Sequence, residues 1–463
     1  MAGIAMIALT CCCATLFWVF QGTGSAFIPP SPSGDFLPLD SLPVLASVGW
    51  GACNKHDRNQ KFWRTIGRTL SMNATRRADG FIWLGDAIYA DDRTSPRESS
   101  RAGFVSTMRT KFDTFRTSEH YAEFRQGLLR EPVGVWDDHD MGTNDADRHY
   151  ALKHEAKQLY LDFLNVPPHA PQRRRSGVYS LIAIPFQNGS SALAQQYDFA
   201  VCTVLLDGRF NRDRAGVSGG DMLGEEQWMW LAAILADPSA DIGAPRKRNG
   251  LDLFSRCAVT AFGSGVQILS DEKPTENWGM FPASRERLLR TLAYANARRF
   301  VLLSGDVHYA DHLTVAHPSL FATQDVVEMT SSGLTHSLAD VGMSQERFEL
   351  LNWTPRRVGS FVGRTFGSIA VTESVAVVSV HDIASGRTVL QHSVQLLGIE
   401  GSLRPARAEV MFGFDVLDAP SKRIFTLLDA MPFAIPFRTK HIIADVAASL
   451  WHGFCGFAFH RTS

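Results

Sequence analysis

The sequence predicts an α/β fold built from mixed sheets, two of them packed face to face. Three observations carry this expectation. Apolar runs end abruptly in an acid or an imidazole at three distant places, within Gly80–Tyr89, Val133–Asp140 and Arg298–His312. Buried parallel strands deliver polar groups to the carboxyl edge of a sheet in this way. Segments with helical spacing separate these strands, whereas Gly367–Leu397 alternates like sheet with no helix inside it.

The first stretch stands outside that fold. Ile4–Phe20 is uncharged and apolar, and about 17 residues is short for a membrane span. Gly24 and Ala26 stand where cleavage after Ala26 needs small residues. Residues 1–26 therefore read as a secretory signal or an uncleaved anchor, although no basic residue precedes the apolar core. Cys11, Cys12 and Cys13 are candidates for acylation, and sequons at Asn73, Asn188 and Asn352 fit a secretory route. Residues 27–43, rich in Pro and Ser, read as a linker, and 44–400 as the main domain.

Within that domain, Val44–Cys53 reads as a strand, Phe62–Leu70 as a helix and Phe81–Asp86 as the second strand. Apolar residues at helical intervals fill Ser99–Leu129, a third strand runs into Trp136, and Ala146–Phe163 reads as a helix. Gly177–Ile184 and Tyr197–Asp207 are consecutive strands, followed by a helix from Leu223 and a strand over Ala258–Leu269. A helix over Ser284–Asn296 leads into the strand ending at Asp306, and Val326–Ser332 with Gly367–Leu397 completes the sheets. Residues 401–463 form an apolar extension, suited to packing or to interfacial contact but with no uninterrupted span.

With 46 basic and 47 acidic residues in 463, nucleic acid is not expected as a stable partner. An apolar content of 45% supports a packed core rather than disorder. The seven cysteines include no CxxC pair, which argues against a zinc ribbon. Their odd total suggests no disulfide framework, and Cys202 and Cys257, inside apolar runs, read as free buried thiols.

The strand ends carry the chemistry. Gly85-Asp86 and Gly305-Asp306 repeat one pattern, in which glycine removes bulk where backbone and ion approach closely. Tyr89, on the first turn after Asp86, aims a phenol at the same place, and a phenolate ligand implies Fe(III) rather than Mg²⁺. Cys53, at the end of the first strand, adds a thiolate to that centre. In Asp137-Asp138-His139-Asp140 four ionisable groups stand together, which is costly unless a cation meets them. Asp138 is the candidate ligand for a second metal, and His139 the candidate general acid for the leaving oxygen. Asn144 and Asp145 follow one turn later, as loop residues or as further polar groups of the site. Arg209 suits two phosphoryl oxygens or, alternatively, a structural pairing with an aspartate. Together these parts describe two cations roughly 3.5–4 Å apart that clamp a phosphate and deliver a hydroxide. No P-loop pattern is present.

Seven motifs in order, from Gly51-Ala-Cys-Asn-Lys55 through Phe81–Tyr89, Trp136–Asp145, Leu206–Arg209, Leu223–Trp228 and Asn277–Arg285 to Leu303–His308, carry a family likeness. Over about Leu45–Leu397 the chain resembles the alkaline phosphatase D (PhoD-like) group of the calcineurin-type metallophosphoesterases. The resemblance implies a sandwich of two mixed β-sheets flanked by helices. It implies Fe(III) surrounded by Cys53, Asp86, Tyr89 and His308, with Asp86 bridging, and Ca²⁺ on Asp138 and Asp306. In the wider superfamily the last two positions are asparagine and histidine, so carboxylates here favour a hard, oxygen-seeking ion. Ala52 stands where the family commonly has serine. The expected activity is hydrolysis of small phosphate monoesters or diesters by a secreted or membrane-anchored enzyme. The alternatives are a tethered phosphate- or lipid-head-group-binding protein without turnover, for which missing ligands are expected and none is missing, and a carboxyl-ester or lipid-head-group hydrolase.

Overall fold

The strand Ala46–Gly51 (β1) is buried along its whole length, as expected of a central strand covered on both faces. The computed structural model describes residues 36–37 and 43–396, except 72–75, 92–100, 216, 218, 243–250, 271–275, 317–319, 322–323 and 353. The expected signal or anchor (1–26), most of the linker and the extension 401–463 lie outside the described residues.

Twelve more strands follow among the described residues: Gly80–Leu84 (β2), Val133–Val135 (β3), Ser180–Ile184 (β4), Phe199–Leu206 (β5), Cys257–Ser264 (β6), Phe300–Ser304 (β7), Ala310–Val315 (β8), Val326–Thr330 (β9), Arg357–Phe361 (β10), Thr365–Val371 (β11), Val375–Asp382 (β12) and Thr388–Gln395 (β13). They form a six-stranded sheet, ordered β13-β12-β11-β1-β2-β3, and a seven-stranded sheet, ordered β10-β8-β9-β7-β6-β5-β4. Both sheets are mixed. β1 runs parallel to β2 and antiparallel to β11, while β5, β6, β7 and β9 run parallel beside antiparallel β4 and β8. One hydrophobic core joins Val48, Trp50 and Ile369 of the first sheet to Leu205, Leu303 and Met329 of the second. The expected sandwich of two mixed sheets is therefore the fold observed.

Helices cover the outer faces. In Trp63–Ser71 the buried residues Trp63, Ile66 and Leu70 fall at i, i+3 and i+7, one stripe of the helix. Trp63 packs on Phe81 and Trp83 of β2 and on Phe124, with ring centroids 5.3, 5.6 and 4.8 Å away. No helix among the described residues is long and apolar enough to cross a membrane.

Several boundaries differ from the sequence expectation. The helical stretch 99–129 is two helices, Arg101–Thr117 and Glu119–Gly127, broken where Ser118 takes an extended ψ of 137° and donates its hydroxyl to Phe115 O. The helix expected from Ala146 starts only at Lys153. The strand expected to reach Leu269 stops at Ser264, because the amides of Ile268 and Leu269 turn aside to donate to the buried Glu328 carboxylate at 2.7 Å each. β8 and β10 were not anticipated. The expectation of free thiols at Cys202 and Cys257 is corrected: the two form a disulfide that joins neighbouring strands β5 and β6. The odd total misled because Cys53 stays free, and the remaining four cysteines lie outside the described residues.

Candidate metal centre

The carboxyl ends of β1, β2, β3, β5 and β7 open toward one spot. Five non-glycine residues there hold positive φ: Cys53 (61°), Asp86 (52°), Asp145 (58°), Asp306 (69°) and His308 (59°). Left-handed backbone at ordinary residues is strained and concentrates at functional sites. Glycine supports the arrangement differently from the expectation. A Cβ at Gly85 would collide with the Cβ of Asp137, and one at Gly305 with Ala52 and the Leu84 carbonyl. The close approach is between neighbouring strand ends.

Cys53 Sγ lies 3.5 Å from Asp86 Oδ2 and accepts a hydrogen bond from Ser332 Oγ at 3.1 Å. Tyr89 OH lies 3.2 Å from His308 Nε2 and 3.1 Å from His336 Nε2. Thiol, carboxylate, phenol and imidazole thus come together from positions more than 250 residues apart in sequence, since Cys53 Sγ also lies 3.6 Å from the Asp306 carbonyl across a separation of 253. Burial, reinforced by Asp86 and Asp306, pushes the Cys53 thiol well up. Burial likewise raises the Asp86 carboxyl, with His139 opposing and Asp138 adding repulsion. Burial and then His139 hold His308 down to about 4, in its neutral form.

The Asp137–Asp140 run forms the second half. Asp138–Met141 is a single helical turn capped by Asp137. Asp138 is oriented by two backbone amides, His139 N to Oδ1 at 2.9 Å and Asp145 N to Oδ2 at 2.7 Å. The ligand atoms of Asp86, Asp138 and His139 lie within 4.8 Å of one another, as do those of Asp138, Asp145 and Glu276. His139 Nδ1 sits 2.6 Å from Asp91 Oδ1, and its ring lies 4.1 Å from that of Tyr89. Burial opposes the charged imidazole, but Asp86, Asp91 and Asp138 raise it to about 10. Asp306 is pushed up by burial and by repulsion from Asp137 and Asp138.

Two expected catalytic residues sit differently from the expectation. Arg209 is 1% exposed; it is enclosed by an ion pair with Asp137, by Glu276 at 2.5 Å and by Asp138 at 3.9 Å. The pairing alternative describes its ion pairs with Asp137 and Glu276, although its buried Nη1 and Nη2 make no hydrogen bond. Asn144 is exposed and contributes its backbone amide, which donates to Asp91 Oδ2 at 2.7 Å.

The residues fit a cation. Buried Asp86 Oδ1 and Asp137 Oδ2 have no hydrogen-bond partner, an arrangement that favours a positive charge nearby. The mixed thiol, phenol, imidazole and carboxylate donors suit an acidic transition metal, and the carboxylates around Asp138 suit a hard ion. Sequence reasoning missed Asp91, Glu276 and His336. Asp91 follows Tyr89 by two residues and Glu276 precedes the quoted Asn277-Trp278 motif, whereas His336 lies in the loop after β9, past the reach of the strand-end pattern.

The profile of the PhoD-like phosphatase family matches residues 194–367. Among solved structures, that of PhoD aligns with a TM-score of 0.51 at 16% identity, over 77% of this chain and 73% of its own. The purple acid phosphatase PPD1 from yellow lupin (Lupinus luteus) seeds aligns at 0.47 with 10% identity, over 77% and 54%. GAP50, the anchor in the inner membrane complex of Plasmodium, aligns at 0.46 with 10% identity, over 76% and 89%. No curated protein matches the chain. The chain is thus similar to the PhoD-like phosphatase family over residues 194–367 and shares the fold of PhoD.

Proposed function

We propose that this chain hydrolyses small phosphate monoesters and diesters at a two-metal centre. The observation that supports the reading is the grouping of Asp86, Asp138 and His139 within 4.8 Å of one another, with Cys53 beside Asp86 and Tyr89 beside His308. Fe(III) on these four and Ca²⁺ on Asp138 and Asp306 would, when bound, neutralise phosphate charge and activate water.

The chain's own residues supply the rest. Asp91 holds the His139 ring through Nδ1, which leaves Nε2 to carry the proton toward the leaving oxygen. The Asn144 amide fixes Asp91 in turn. Arg209, locked between Asp137 and Glu276, keeps the Asp138 side of the site in register and acts as a positioning residue. A secretory location is supported by the Cys202–Cys257 disulfide, since such bonds persist in oxidising compartments.

The test is turnover of p-nitrophenyl phosphate and bis-p-nitrophenyl phosphate by the purified full chain before and after chelation. Hydrolysis that stops on chelation and returns with iron and calcium supports the reading. Full activity in metal-stripped protein defeats it.

A further inference from the structure

The loop that follows Cys53 carries two cations the mechanism does not use. Lys55 Nζ sits 5.2 Å from the centroid of the Tyr89 ring. Arg58 Nη1 donates to Thr335 O at 3.3 Å, one residue from His336. Lys55 is half-buried and Arg58 exposed, and neither pairs with a carboxylate among the described residues. Both stand on the Tyr89 and His336 side of a site that also holds the buried acids Asp86 and Asp138.

The loop is braced in a way that fixes both. Gln60, 6% exposed, donates through Nε2 to Asn54 Oδ1, Lys55 O and Arg58 O at 3.0, 3.1 and 3.2 Å. Its Oε1 accepts from Trp63 Nε1 at 2.8 Å, which anchors the brace in the aromatic core. On the other side the Lys55 amide donates to Thr335 Oγ1 at 2.7 Å, and that hydroxyl lies 3.1 Å from His336 Nδ1. One buried amide thus holds the backbone of both cationic residues against the His336 side of the site. Charges presented on a preorganised loop bind an anion without the cost of ordering it.

We propose that Lys55 and Arg58 form an anion subsite on this side, which takes a second negative group carried by the alcohol side of the phosphate ester. The preferred substrates are then phosphate esters whose leaving group bears a carboxylate or a further phosphate. This rests on the phosphoesterase reading above for the position of the first phosphate.

The test uses non-hydrolysable probes, so it does not depend on turnover. Phenylphosphonate, 4-carboxyphenylphosphonate and 1,4-phenylenediphosphonate are titrated calorimetrically into the metal-loaded full chain. At least one doubly anionic probe is expected to bind about tenfold tighter than phenylphosphonate, the scale of two partly exposed charge contacts. Which probe gains more tells carboxylate from phosphate. In the Lys55→Ala, Arg58→Ala double variant the advantage disappears, whereas Lys55→Arg keeps it, and rising salt erodes it in the wild type. Equal affinity for all three probes in the wild type overturns the subsite, as does a double variant that keeps the advantage. If the advantage is present but phenyl phosphate is not hydrolysed, the subsite stands and the hydrolase reading falls.

Discussion

His139 Nδ1 and Asp91 Oδ1 stand 2.6 Å apart at the edge of the acid cluster, joining the β3 end to the loop after β2. A carboxylate behind an imidazole fixes the ring and its tautomer. Asp91→Asn is therefore expected to lower kcat about 10- to 100-fold with little change in KM. His139→Asn is expected to lower it by about 10²- to 10⁴-fold, most for esters with poor leaving groups. Steady-state kinetics on aryl phosphates of graded leaving ability decide this. Equal losses across the series would remove His139 as the proton donor.

Arg209 predicts a stability effect larger than an affinity effect. Removing one partner of a buried ion pair leaves uncompensated charge, here on Asp137 and Glu276. Arg209→Ala is expected to destabilise the fold by about 3–5 kcal/mol, measured by urea unfolding. Arg209→Lys does not restore it, because a single ammonium cannot span both carboxylates. A variant of normal stability whose only change is a higher KM would return Arg209 to the phosphate.

The disulfide has its own prediction. Cys202 and Cys257 are 55 residues apart, and closing a loop of that size restricts the unfolded chain. The double serine variant is expected to lose about 2–4 kcal/mol, checked by the same unfolding measurement with and without reductant. Reductant that leaves the wild-type midpoint unmoved would argue against the bond.

His381 predicts a pH dependence far from the metal centre. Its ring lies buried against Phe366, with Nε2 2.8 Å from Ser368 Oγ. Burial lowers it to about 4 from an ordinary value of 6.5. The unfolded chain takes up this proton first as pH falls. Stability is therefore whole above pH 6.5 and is lost progressively down to about pH 4, by roughly 3 kcal/mol. His381→Gln should flatten part of the slope, and His312, also held to about 4, keeps the remainder. An unchanged slope in the variant would contradict this.

Much of the site was legible because parallel strands announce their ends. Asp86, Asp138, Asp306 and His308 each follow an apolar run, and strand geometry alone brings such residues to one edge. Cys53 and Tyr89 were readable once those ends were aligned. Residues that act across loops left no periodic trace. Asp91 depends on a fold-back to reach His139, and His336 meets Tyr89 only because the 333–337 loop pairs with the backbone of Ala52 and Cys53. β8 hid for a similar reason: its Asp-His start breaks the apolar run, although Asp311 is buried against Arg357. The cysteine count failed because it spoke for the whole chain, whereas pairing is decided by strand neighbours.

The central claim is that Cys53, Asp86, Tyr89 and His308 share one cation. Elemental analysis of the purified full chain, read together with its visible spectrum, tests it most directly. About one iron per chain is expected, with a phenolate-to-iron absorption band that vanishes in Tyr89→Phe while Asp86→Ala loses the iron itself. Iron-free protein without that band, hydrolysing p-nitrophenyl phosphate at full rate, would contradict the account.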